Sequence, residues 1–152
     1  MYTKKMTYTD YNGEEITETF YFNLTEAEIL QMQTERSGGL AAKLQRMIDR
    51  KDVPSIMSTI KDLIWRAYGE KSDDGRRFIK SEELTREFTQ TEAYSALFME
   101  LATNADEASR FVNEIVPKKL AEAAAASSST IEDAKKHANI SALPTNASNP
   151  NV

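Results

Sequence analysis

The dipeptide Asn12-Gly13, with the alternating residues on either side of it, constrains the fold of the N-terminal region more than any other feature. Asn and Gly tolerate the positive φ angles that a tight hairpin turn requires. Between Met6 and Phe22, β-branched or aromatic residues alternate with polar ones, which predicts a β-hairpin. Because side chains two residues apart share a face of a strand, the second strand has an apolar face that Glu18 interrupts and that comprises Ile16, Phe20 and Phe22.

A hairpin of two strands is only marginally stable in water, so its apolar face needs a partner layer. One interpretation is that this face packs on helices of the same chain. The other is self-association, in which an exposed strand edge pairs with a second copy of the chain. The residues leave both interpretations open.

Capping signals divide the chain from Leu24 to Pro117 into five or six short helices. Thr25 and Glu28 form a capping box, and Leu24 and Ile29 occupy the positions of a hydrophobic staple. Ser37-Gly38-Gly39 then breaks the helical pattern. Later helices are predicted to start at Pro54, at Ser81, at Thr89 with Glu92, and at Asn104 with Glu107.

Apolar residues at helical spacing predict the core. The central helix carries a stripe made of Ile56, Ile60, Leu63, Ile64, Ala67 and Tyr68. Gly69 is expected to end this helix, and a charged, solvated loop is expected from Glu70 to Arg77. Further along, one face is lined by Tyr94, Leu97, Phe98 and Leu101, with Phe98 as the best candidate for a core anchor.

The C-terminal segment has a different composition from the rest of the chain. It is rich in alanine and serine and ends in SALPTNASNPNV, which offers little apolar area and favours turns. We therefore predict a mainly α-helical domain with an N-terminal β-hairpin over residues 1–120, followed by a flexible arm over residues 121–152.

Composition argues against several classes of function. The formal charge of -5 and the pI near 5.0 give no basic footprint for nucleic acid. No apolar run approaches the roughly 20 residues that a membrane-spanning helix needs, and the N-terminus lacks a secretory signal. The chain has no cysteine, and its one histidine, His137, lies in the expected arm. The segment Glu70–Ser81 has the glycine of a calcium loop but no closing glutamate. We therefore expect no catalytic residue, no cofactor and no metal.

The block GRRFIKSEELTREFTQTEAYSALF, residues 75–98, lies in an aromatic-rich stretch from Ala67 to Pro117. This block resembles the tail assembly chaperones of long-tailed, siphovirus-type bacteriophages, and the hairpin and first helix resemble them more loosely. The resemblance implies a non-enzymatic protein that binds the tape measure protein and recruits the tail tube protein during tail assembly. It also implies that the protein acts in the host cytoplasm and is absent from the mature virion.

Four side chains are candidates for partner binding, namely Trp65, Arg76, Arg77 and Met99. Trp65 neighbours the apolar stripe, so it fits either the edge of the core or a partner surface. Arg76 and Arg77 fit either a grip on acidic partner side chains or a solvated loop. Methionine adapts to irregular surfaces but also fills cores, which leaves the same choice for Met99.

Two other classes of function are compatible with these residues. A virion structural subunit of the tail or connector would need a large, permanent interface. A small acidic inhibitor directed at a host protein would use its negative charge against a basic target.

Overall fold

A computed structural model describes residues 1–35 and 40–119 of the chain. The elements, in chain order, are β1 (Tyr2–Thr9), β2 (Glu15–Phe22), α1 (Glu26–Glu35), α2 (Leu40–Asp49), α3 (Val53–Ala67), β3 (Tyr68–Lys71), β4 (Phe78–Ile79), α4 (Glu82–Thr89), α5 (Glu92–Thr103) and α6 (Ala105–Ile115). The predicted break at residues 37–39 and the predicted arm over residues 121–152 lie outside the described residues. The mainly helical class with an N-terminal hairpin is confirmed.

The hairpin forms as the turn dipeptide predicts, and its first strand begins earlier than expected, at Tyr2. β1 and β2 pair antiparallel, from Tyr2 opposite Phe22 to Thr9 opposite Glu15. Gly13 takes a φ of 85°, a backbone conformation that residues with a side chain rarely adopt. The carboxylate of Asp10 accepts hydrogen bonds from the amides of Asn12 and Glu14 at 2.8 and 2.9 Å and so closes the turn.

Two short strands extend the hairpin into a four-stranded antiparallel sheet with the order β1-β2-β3-β4. The expected charged loop is therefore shorter than predicted, because Glu70 and Lys71 pair with Ile79 and Phe78.

The prediction that Gly69 caps helix α3 is wrong. The helix ends at Ala67, and Gly69 lies within β3, where β4 crosses very close to it. A Cβ atom at Gly69 would lie 2.6 Å from the Phe78 ring and 2.7 Å from the carbonyl oxygen of Ile79. The position therefore needs glycine for close packing of two strands and not for a left-handed turn.

The apolar face of the hairpin packs on helices of the same chain. The ring of Tyr2 lies 5.0 Å from that of Phe111 on α6, and Phe22 lies 5.5 Å from the same ring. Phe20 and Phe22 contact Phe88 on α4. The opposite face of the hairpin is polar and exposed, with Thr3, Lys5, Thr7, Thr17 and Thr19. The sheet thus carries the helices on one side only.

The capping box at the start of α1 is confirmed. The amide of Thr25 donates to Glu28 Oε2 at 2.7 Å, and the amide of Glu28 donates to Thr25 Oγ1 at 3.2 Å. Leu24 and Ile29 are both buried, as the staple requires.

The prediction that Thr89 starts the next helix is wrong. Thr89 is the last residue of α4, and its hydroxyl donates to the carbonyl of Arg86 at 2.9 Å. Thr91 caps α5 instead and accepts from the amide of Tyr94 at 3.3 Å. The hydroxyl of Thr89 is therefore hydrogen-bonded within α4, and Thr89 does not cap α5.

The predicted caps at Ser81 and Asn104 are confirmed. Ser81 Oγ accepts from the amide of Leu84 at 3.1 Å, and Asn104 Oδ1 accepts from the amides of Asp106 and Glu107 at 3.1 Å each. The carboxylate of Glu107 turns away to accept from the hydroxyl of Tyr2 at 2.6 Å. The hydrogen bond between Tyr2 and Glu107 therefore links strand β1 to helix α6.

The prediction that Phe98 anchors the core is wrong. The buried line of α5 runs through Ala93, Leu97 and Leu101, at a spacing of four residues. Phe98 lies one position to the side, is only partly buried and stacks on Tyr94 at 6.0 Å. The aromatic anchor from the C-terminal helices is Phe111, which is fully buried.

Candidate functional site

Two of the four predicted contact residues are exposed apolar side chains on helices. Trp65 lies near the end of α3 and is 40% exposed, while Met99 lies on α5 and is 53% exposed. Helices α3 and α5 pack against each other. These two side chains therefore lie outside the buried core, on neighbouring helices.

The other two predicted residues, Arg76 and Arg77, lie together in the turn between β3 and β4 and are exposed. The backbone of this turn is fixed by Ser72, whose hydroxyl donates to Asp74 at 2.6 Å and accepts from the amide of Arg77 at 3.0 Å. The amide of Arg76 donates to the same Asp74 carboxylate at 3.1 Å. The hydrogen bonds from Ser72 and from this amide hold the pKa of Asp74 below its ordinary value. The two guanidinium groups thus project from a well-defined turn.

The fold distributes these four residues over three elements. Arg76 and Arg77 are neighbours, but no hydrogen bond, ion pair or ring contact among the described residues joins them to Trp65 or Met99. Helix α3 carries two further exposed apolar side chains, Val53 and Met57, at 53% and 36% exposure. The exposed apolar area of α3 is therefore larger than Trp65 alone would give.

A cleft of about 480 Å³, which no sequence pattern predicts, lies where β2, β3 and α4 meet. Its apolar part is formed by Phe20, Tyr68, Leu84 and Phe88, and its polar part includes Glu18, Thr19, Glu70, Lys71 and Glu87. The residues come from three elements that are far apart in the chain. The one signal in the sequence was Glu18, the charged residue in the middle of the apolar face of β2.

Tyr68 is the central residue of this cleft. Its ring stacks on Phe88 at a centroid distance of 4.2 Å and an interplanar angle of 17°, and it also contacts Phe20 and Phe22. Burial, followed by the negative charges of Glu70, Glu18 and Glu87, raises the pKa of Tyr68 to about 12. The hydroxyl therefore stays protonated at neutral pH.

The described residues offer little for metal binding. Among them, no group of three or more His, Cys, Asp or Glu side chains is placed so that it could hold a metal ion. Within the same part of the chain, no helix is both long enough and apolar enough to cross a bilayer. What the described surface does present is exposed apolar side chains, a basic turn held by hydrogen bonds, and an acidic cleft with an aromatic floor.

Comparison with known families identifies the class of this protein. The phage tail assembly chaperone family matches residues 1–151 of the chain. The chain therefore belongs to the phage tail assembly chaperone family. The match extends the resemblance seen at residues 75–98 over nearly the whole sequence. The search of curated proteins and the search of solved structures each returned no significant match.

Proposed function

We propose that this protein is a non-enzymatic chaperone that binds the tape measure protein and helps to recruit tail tube subunits while the phage tail is built. It acts in the host cytoplasm and is absent from the mature virion. The observation that carries this proposal is the family membership over residues 1–151. The two clients are those implied by the resemblance to the chaperones of long-tailed phages.

The exposed apolar side chains support a role in covering unassembled proteins. A tail protein that has not yet reached its place in the particle exposes apolar surface, which aggregates unless another surface covers it. Trp and Met are enriched in protein interfaces, and Trp65 and Met99 are both exposed on packed helices. Arg76 and Arg77 add two donors for carboxylates at a fixed turn.

Co-expression tests the proposal directly. The tape measure protein of the same phage is produced with and without this chain, and the soluble and insoluble fractions are compared. We expect the tape measure protein to be soluble and to co-purify with the chain only when both are present. Equal solubility in both cultures would refute the chaperone role, and the chain at subunit stoichiometry in purified particles would indicate a virion structural protein instead.

The predicted contact residues are tested in the same assay. The double variant Trp65→Ala with Met99→Ala should lower the yield of soluble tape measure protein, since it removes exposed apolar contact area without opening the core. Leu30→Ala is the control, because Leu30 is an exposed apolar side chain on α1, at 63% exposure, that lies outside the predicted contact set. An equal loss in both variants would show that Trp65 and Met99 are not specific contacts.

The arginine pair needs its own variant because its contribution is electrostatic. Arg76→Ala with Arg77→Ala should weaken co-purification more at low salt than at high salt, because exposed charges are screened by ions. Lys118→Ala with Lys119→Ala removes the same charge from an exposed position elsewhere and should have no such effect. A loss of binding that does not depend on salt would contradict a role in binding acidic partner groups.

A further inference from the structure

Strands β2 and β3 separate after only two residue pairs, Tyr21 with Gly69 and Phe22 with Tyr68. Backbone hydrogen bonds alternate between the two sides of an antiparallel strand. The amide of Asn23 donates to the carbonyl of Ala67 at 2.8 Å, so the odd-numbered residues of β2 point their backbone groups toward β3. Thr17 and Thr19 follow this alternation but lie beyond the point where β3 diverges. Their N–H and C=O groups therefore face the cleft side without a strand partner among the described residues.

The carboxylates around the cleft are only partly engaged. Glu18 accepts from the hydroxyl of Tyr8 at 2.6 Å, whereas Glu70 and Glu87 form no ion pair or hydrogen bond with the described residues through their carboxylates. The one cation in the cleft lining, Lys71, lies over the ring of Tyr21 at 4.3 Å. The cleft thus has three carboxylates and one lysine, which is held at an aromatic ring.

The hydroxyl of Tyr68 is a polar group directed into this acidic space. Tyr68 is only 6% exposed, and none of the described residues forms a hydrogen bond with its hydroxyl. No fully buried side-chain N or O atom in the described part of the chain lacks a hydrogen-bond partner. The hydroxyl must therefore reach solvent, and it does so through the cleft that Tyr68 lines.

We infer that this cleft binds a lysine or arginine side chain presented by an extended segment of a client protein, which pairs with the free edge of β2 at Thr17 and Thr19. Three carboxylates attract the cationic group, and the Tyr68 oxygen accepts one of its N–H donors. The aliphatic stem of the side chain packs on Phe20, Leu84 and Phe88. The inference rests on the proposed function, because it names the surface that holds a client segment.

The geometry selects a long basic side chain over other occupants. An acidic side chain would meet Glu18, Glu70 and Glu87 with the same charge. A purely apolar side chain would cover the polar hydroxyl of Tyr68 without replacing the water that solvates it. Phe88 stacks on one face of the Tyr68 ring, Phe20 and Phe22 contact the ring as well, and Tyr68 is only 6% exposed. The hydroxyl edge, which reaches solvent, is therefore the part of Tyr68 that a cation can contact.

Peptide binding to the full-length chain tests the inference. Short overlapping peptides that cover the tape measure and tail tube proteins of the same phage are immobilised and probed with the wild-type chain. We expect binding to be concentrated in peptides with a lysine or arginine flanked by β-forming residues. Replacing that basic residue with glutamine in the best peptide should weaken binding at least about fivefold. The absence of any binding peptide, or a preference for acidic or uncharged peptides, would overturn the inference.

Three variants of the chain assign the binding to the cleft. Glu70→Gln with Glu87→Gln should weaken binding of the best peptide about three- to fivefold, because it removes two of the three carboxylates. Glu82→Gln with Glu83→Gln makes the same charge change on the exposed first turn of α4, outside the cleft, and should leave binding within about twofold. Tyr68→Phe removes only the hydroxyl and should weaken binding about threefold or more.

Failure of the cleft and failure of the proposed function give different results. If the wild-type chain keeps the tape measure protein soluble and the Glu70→Gln, Glu87→Gln variant does so equally well, the cleft does not hold the client while the chaperone role stands. If the wild-type chain does not keep the tape measure protein soluble, the proposed function itself fails. Circular dichroism of each variant separates a loss of binding from a loss of folding.

Discussion

At the scale of single residues, glycine is needed at one position because no room is left for a side chain and at another because of its backbone φ angle. Gly69 and Gly13 illustrate the difference. Gly69 has no room for a Cβ atom because Phe78 and Ile79 lie within 2.7 Å of the place where it would be. Gly13 has open space around it but a φ of 85°. The same residue type therefore serves two physical purposes in one small sheet.

Gly69→Ala is expected to lower the free energy of unfolding by roughly 1–3 kcal/mol, because β4 must shift to admit the methyl group. Urea denaturation of the purified chain measures this change. Gly13→Asn is the control, since Asn tolerates a positive φ and meets no neighbour there, and it should cost about 1 kcal/mol or less. A larger loss at Gly13 than at Gly69 would contradict the close approach of β3 and β4.

Phe111 and Phe98 should differ in their contribution to stability. Phe111 is fully buried against Tyr2 and Phe22, so Phe111→Ala is expected to cost about 3–5 kcal/mol. Phe98 is partly exposed, so Phe98→Ala should cost about 1–2 kcal/mol. Equal losses in thermal or urea unfolding would mean that Phe98 is as much a part of the core as Phe111.

At the scale of helices and strands, the boundary between α4 and α5 provides a sensitive test of the capping arrangement. Thr91 accepts from the amide of Tyr94, whereas Thr89 bonds only within its own helix. Thr91→Ala should therefore lower the free energy of unfolding by about 1 kcal/mol, the usual cost of a lost N-cap. Thr89→Ala should change it by less than about 0.5 kcal/mol. A larger loss of stability in Thr89→Ala than in Thr91→Ala would instead support Thr89 as the residue that caps α5, as the sequence predicts.

Local sequence signals predicted the elements that depend on few residues close in the chain. The Asn12-Gly13 turn, the capping box at Thr25 and the proline at the start of α3 depend on bonds within a few positions, and each is present in the structure. Strands β3 and β4 have four and two residues and no alternating pattern, so their pairing depends on where helix α3 places them.

The candidate site was predicted only in part for the same reason. The position of Trp65 and Met99 beside an apolar stripe is evident from helical spacing, but that spacing left open whether each side chain is buried or exposed. The cleft could not be predicted, because it brings together Glu18, Tyr68 and Glu87, which are separated by long stretches of chain. No local sequence pattern predicts which side of α4 faces β2.

At the scale of the whole molecule, the first strand is tied to the last described helix by a partly buried polar link. The carboxylate of Glu107 accepts from Tyr2 at 2.6 Å and from Lys4 at 3.3 Å, and its side chain is 15% exposed. The hydrogen bond from Tyr2, followed by Lys4 and Arg110, holds the pKa of Glu107 below its ordinary value, although burial opposes this shift. Proton binding to Glu107 is therefore coupled to the packing of β1 on α6.

This link predicts a pH dependence of stability. Because the pKa of Glu107 is lowered in the folded state, its contribution is present above the unfolded pKa of about 4.3 and is lost as the pH falls through the folded pKa. Glu107→Gln should lower the free energy of unfolding by about 1–2 kcal/mol at neutral pH, and the difference from wild type should shrink below about pH 4. Urea unfolding across this pH range measures it.

The control for this prediction is Glu15→Gln, which removes a carboxylate from an exposed position at the start of β2. It should change stability by less than about 0.5 kcal/mol at every pH. A constant difference between Glu107→Gln and wild type down to about pH 2 would show that the charge of Glu107 has no part in joining β1 to α6.

The contact between Tyr2 and Phe111 has a consequence for synthesis of the protein. A ribosome synthesises Tyr2 and Phe22 long before Phe111, so the nascent hairpin lacks its contacts with the Phe111 ring until α6 has been made. Early termination upstream of α6 would leave Tyr2 and Phe22 without the Phe111 ring, and such fragments should be cleaved by proteases faster than the full chain. Correct folding of this protein therefore depends on translation continuing through its last described helix.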